Sequence, residues 1–142
     1  MKKRMMVFAL AFLSAALNVY ADDAISDSTP NAKVYFIQPV DGQTVPQNFK
    51  VVFGLSNMGV APAGVSLKDT GHHHLLIDSD ILPDLTKQLP VTDKIRHFGG
   101  GQTETEVTLP PGKHTLQLIL GNYVHIPHRP PVISEKITVT VK

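Results

Sequence analysis

Eleven prolines and ten glycines cut this chain into short pieces. Proline breaks a helix interior or a central strand, and glycine weakens both. Between these breakers the apolar residues recur at every second position. Val51, Phe53 and Leu55 fall on one side of a strand, as do Thr105, Val107 and Leu109. Leu116, Leu118 and Leu120 follow His114 at the same spacing, and Ile137, Val139 and Val141 close the chain. Past the N-terminal leader no segment carries a long 3.6-residue apolar period. A period of two between Gly/Pro turns is the mark of strands packed on one face.

The remaining segments fit that scheme. Lys33 to Ile37 is β-branched and aromatic, and His72 to Asp78 is a further strand candidate. Ser79 to Arg96, with Pro83 and Pro90, is either an excursion over one end of the domain or a short helix with loops. The pattern predicts an all-β fold, an Ig-like antiparallel β-sandwich of about seven strands.

The first residues have a different character. Met1-Lys2-Lys3-Arg4 is basic, Met5 to Leu17 is apolar apart from Ser14, and Val19-Tyr20-Ala21 offers small residues before Asp22-Asp23. This is the layout of a secretory signal peptide. The apolar run falls short of the roughly 20 residues of a membrane span, so no stable membrane anchor is expected. The expected organisation is a cleaved signal peptide over 1–21, a flexible lead-in over 22–32 and a single β-sandwich domain over 33–142. The expected location is periplasmic or secreted.

Composition narrows the function. Without Lys2, Lys3 and Arg4 the balance is ten basic against twelve acidic residues. Such a chain lacks the basic footprint of a nucleic-acid binder, and no nucleic-acid partner is expected. Cysteine is absent, which excludes disulfides, thiolate metal sites and cysteine nucleophiles. Met58 alone remains after the leader, which disfavours a methionine-rich copper(I) carrier. No GxSxG elbow, P-loop or dinucleotide fingerprint occurs.

What remains is histidine, seven of them, all beyond the leader: His72, His73, His74, His97, His114, His125 and His128. On a strand, His72 and His74 project to one face and His73 to the other, with Leu75 and Ile77. Two imidazoles at that spacing can share an ion, and neutral imidazole suits copper and zinc. His97 precedes Gly99-Gly100-Gly101, where the backbone can fold close to a site, and His114 opens a strand. His72, His74, His97 and His114 are the candidate ligands. Glu104, nearest the glycines, and His125 and His128 of the proline-rich loop stand second. The competing reading is a set of hydrogen-bonded or solvated polar residues with no metal.

Four blocks in order strengthen the picture: Gly71-His72-His73-His74-Leu75-Leu76-Ile77-Asp78, His97-Phe98-Gly99-Gly100-Gly101-Gln102-Thr103-Glu104, Pro110-Pro111-Gly112-Lys113-His114-Thr115-Leu116-Gln117-Leu118, and His125-Ile126-Pro127-His128 with Pro130-Pro131-Val132. Together they resemble a small secreted bacterial family, domain of unknown function 4399, over roughly Lys33 to Lys142. The resemblance implies a single periplasmic-type domain and no established activity. In that family's pattern an aspartate often stands where this chain has Asn122, so a carboxylate is lost at that point.

The leading expectation is a binding module, not an enzyme, with a histidine-lined site for copper(II) or zinc. An Ig-like interaction or structural module with a metal-free histidine network is the first alternative, and an envelope protein its expected partner. A metal-dependent hydrolytic or redox enzyme on the same site is the second.

Overall fold

The computed structural model describes residues 24–142. The expected signal peptide over 1–21 therefore lies outside the described residues. These residues form nine strands and no α-helix. The strands are β1 (Lys33–Gln38), β2 (Thr44–Val45), β3 (Asn48–Ser56), β4 (Gly59–Val60), β5 (Thr70–Ile77), β6 (Ile95–His97), β7 (Glu104–Thr108), β8 (Gly112–Gly121) and β9 (Ile137–Val141). The all-β expectation holds. The count exceeds about seven because β2, β4 and β6 are two or three residues long, too short for alternation to reveal.

β1, β3 and β7 make one sheet. The other runs β2-β9-β8-β5-β4, with β6 also paired to β5. Most pairings are antiparallel, but β2 with β9 and β4 with β5 are parallel, so the expected purely antiparallel arrangement is corrected at those two places. One apolar core lies between the sheets. Val34, Phe49, Val51, Phe53 and Val107 reach it from one side, and Leu75, Ile77, Leu116, Leu118, Leu120, Val139 and Val141 from the other.

The outer face of the larger sheet is also covered. Ser79 to Arg96 forms no helix and crosses this face as an extended excursion that ends in β6. Its Leu89 and Ile95 pack with Leu76 and Ile119 in a second small core. β5 is therefore buried along both faces, as a strand with both sides covered must be, and all three of its histidines have no exposed surface.

The β5–β8 register decides which face each side chain takes. His72 lies opposite Gly121, His73 opposite Leu120 and His74 opposite Ile119. His73, Leu75 and Ile77 thus face the main core, where the His73 ring packs 5.0 Å from Phe53. His72, His74 and Leu76 face outward, toward the excursion. Residues 24–32 lie against the proline-rich loop, with Ser28 N donating to Arg129 O at 3.1 Å and Arg129 N to Ser26 O at 2.9 Å.

Candidate metal centre

Strand pairing brings a third imidazole to the outward face. β6 lies beside β5 with His97 opposite His74, so the two rings stack with centroids 5.3 Å apart. The turn after β8 supplies a fourth. His125 adopts a left-handed φ of 67° and puts its ring 4.8 Å from His72 and 4.3 Å from His97. Nitrogen atoms of His72, His74, His97 and His125 all lie within 4.8 Å of one another. His72 and His74 are buried, and His97 and His125 are half-buried.

Two glycines leave room for these rings. A Cβ on Gly121 would stand 2.6 Å from His74 Cε1, and one on Gly99 would stand 2.4 Å from His97 Nε2. The positions facing the imidazoles therefore admit no side chain unless a ring moves. This is the close approach expected of the triple glycine, and Gly121 serves the same purpose unsignalled by any motif.

The four rings scarcely satisfy one another. His72 Nε2 lies 3.0 Å from His125 Nδ1, a hydrogen bond between the two rings. No hydrogen bond reaches His72 Nδ1, either nitrogen of His74, or His97 Nε2. Each unpartnered buried polar atom costs about 1–3 kcal/mol. Burial, then the neighbouring imidazoles, push His72 down to about 4 and His74 down to about 3. Burial, with His97 beside it, lowers His125 as well. His72, His74 and His125 are therefore neutral near pH 7 and each carries a lone pair able to bind a cation, although the His72–His125 hydrogen bond engages one of them until an ion displaces it.

The other candidates lie elsewhere. His114 shares the face of Leu116, Leu118 and Leu120, the opposite side of the larger sheet from His72 and His74. Its Nδ1 donates to Asp78 Oδ2 at 2.7 Å and its Nε2 to Pro110 O at 2.8 Å. The hydrogen bond to Asp78 raises its pKa, and burial opposes the rise. A ring that donates from both nitrogens offers no lone pair, so the expected meeting of His114 with His72 and His74 is corrected by register. Glu104 is exposed on β7 and pairs with Lys50 at 2.9 Å. His128 is buried, with Nε2 3.0 Å from Thr70 O.

The structure thus brings together three of the four leading candidates and replaces the fourth with His125. Alternation could find His72 and His74. It could not find His125, which sits in an irregular turn with a left-handed φ of its own.

No curated protein gives a significant match to this chain. Among solved structures, the endo-beta-1,4-mannanase from Thermotoga petrophila is similar at a TM-score of 0.47 and 15% identity, over 82% of this chain and 21% of that one. The chain therefore spans about a fifth of the enzyme's length. The model of the family described as domain of unknown function (DUF4399) matches residues 51–142, which hold all four clustered histidines. With most of its length matched in this way, the chain belongs to the DUF4399 family.

Proposed function

We propose that this domain is a periplasmic or secreted binding module that holds one transition-metal ion, copper(II) or zinc, on His72, His74, His97 and His125. The observation that carries the reading is the gathering of four imidazoles with a ligand nitrogen of each within 4.8 Å of the others, where His72 Nδ1, both nitrogens of His74 and His97 Nε2 have no hydrogen-bond partner. A metal-free polar network would satisfy these atoms among themselves, and only the His72–His125 contact does so. An ion would take one nitrogen from each of the four rings. Four nitrogens at about 2.0–2.1 Å from zinc stand roughly 3.3 Å apart, so the widest pair must close by about 1.5 Å. Small χ rotations of the half-buried rings can supply this.

The donor set also bears on the class of function. Four protein ligands fill a tetrahedral zinc, whereas a catalytic zinc keeps a position open for water. An all-imidazole set suits zinc and copper and gives no preference to hard cations such as calcium or magnesium. The first point supports binding over hydrolysis, and the second supports zinc or copper as the ion.

The test is metal analysis of the exported protein, purified without a histidine tag, followed by titration with copper(II) and zinc. One equivalent bound, and lost in His74→Ala, is the expected result. A protein that holds no metal and gains no thermal stability from either ion would overturn the proposal. Intact mass on the same sample should place the N-terminus at Asp22. A chain that retains Met5 to Leu17 would contradict export by a cleaved leader.

A further inference from the structure

The fourth histidine differs from the other three in what holds it. His72, His74 and His97 stand on paired strands. His125 stands on a five-residue turn whose internal bonds converge on Asn122, while from outside Leu89 N donates to His125 O at 2.9 Å and Gly64 N to Tyr123 O at 2.8 Å. Asn122 Oδ1 accepts from Val124 N and Ile126 N, each at 3.0 Å, and its backbone exchanges bonds with His125 N and Ile126 O, each at 2.9 Å. The amide's other end points away from the turn. Nδ2 donates to Ala24 O at 2.7 Å and to Ser26 Oγ at 3.2 Å. Asn122 is 1% exposed, so these bonds are shielded from water. The same arm is fastened a second time, through the backbone bonds of Ser26 and Ser28 to Arg129.

We infer that Asn122 is the positioning residue of the metal site, and that it couples the N-terminal arm at 24–28 to the fourth coordination position. This rests on the metal-binding reading above. An asparagine suits the task because it accepts on one side and donates on the other. With the arm docked, the turn is fixed and His125 completes four-imidazole coordination. With the arm released, the turn keeps its bonds from Leu89 and Gly64 and loses those to the arm, so His125 is held less firmly and coordination shifts toward three imidazoles and an open position. The arm then decides between a closed site that retains an ion and an open one that exchanges it. Outer partners of this kind typically change metal affinity by 10–100-fold.

The experiment uses the full mature chain loaded with one equivalent of copper(II), with electron paramagnetic resonance as the readout. Nitrogen hyperfine structure distinguishes four imidazoles from three plus water. The wild type should give the four-nitrogen spectrum, and His125→Ala the three-nitrogen reference. Asn122→Ala should match His125→Ala in spectrum, still bind one ion, and lose about 10–100-fold in affinity. Ser28→Pro removes the Ser28 N–H to Arg129 O bond and leaves Asn122 intact. It should produce a mixture of the two spectra, and it carries the test if Asn122→Ala fails to fold. Four-nitrogen spectra and wild-type affinity in both variants would overturn the coupling and leave the metal site standing. No copper bound by the wild type would overturn both.

Discussion

Replacing His74 with leucine separates the two main readings of the site. His74 is fully buried, and neither of its ring nitrogens has a hydrogen-bond partner. A neutral imidazole carries one donor and one acceptor, and stranding both costs roughly 2–6 kcal/mol at about 1–3 each. Leucine removes that cost in a similar volume beside Ile119 and Leu76, and shape mismatch returns about 1–1.5 kcal/mol of it. The metal-free variant should therefore be more stable than the metal-free wild type by about 1 kcal/mol or more, a rise of roughly 3–6 °C in Tm for a domain of this size. The wild type with an ion at a hundredfold excess over Kd gains about 2.7 kcal/mol and should melt above both. The variant should show no metal-dependent shift. Thermal melts with chelator, with zinc and with copper(II) give the full comparison. A metal-free His74→Leu protein that melts well below the metal-free wild type would refute the reasoning, because the imidazole would then be supporting the fold by itself.

The pH dependence follows from the same burial. The pKa values of His72 and His74 lie at about 4 and about 3, below the ordinary 6.5. Their contribution to metal-free stability is complete above about pH 6.5 and is lost as the pH falls through the folded values. His72 and His74 should therefore stay neutral in the metal-free protein at about pH 5, and ring resonances of these two that titrate near 6.5 by NMR would show that they behave as if in water. His114 behaves in the opposite sense: its raised pKa gives stability that is present below about pH 6.5 and lost as the pH rises through the folded value. His114→Gln should accordingly cost more stability at pH 5.5 than at pH 8.5 in urea unfolding, with the metal shift unchanged. Leu118, fully buried between the sheets, should cost about 2–5 kcal/mol as Leu118→Ala, and a loss within about 0.5 kcal/mol would mean that it is not in the core.

The all-β fold was legible because alternation reports directly on a strand with one covered face. β9 and the first half of β3 follow the alternation of their sequences in burial, and β8 keeps Leu116 and Leu118 in the core while its last residues are buried on both faces, with Val51, Phe53, Val139 and Val141 also in the core. The opposite orientations of His73 and its two neighbours were legible for the same reason. Pairing was not. Which face of the sheet His114 shares with β5 depends on the β5–β8 register, and one chain carries no record of cross-strand register. The turn that delivers His125 was also silent, since its geometry rests on the Asn122 bonds and a left-handed φ instead of on any period. The sequence leaves Ser79 to Arg96 as an excursion over one end of the domain or a short helix with loops. Its Leu89 and Ile95 instead cover the outer face on which the imidazoles stand.

The uneven burial of the four rings has a kinetic consequence. His97 and His125 retain some exposed surface, and His72 and His74 retain none. With His97 Nε2 also buried, an incoming ion would meet the His125 ring first and shed its last waters only on reaching the enclosed nitrogens. On the metal-binding reading, the path of entry and the depth of burial would then be set by different residues of one site.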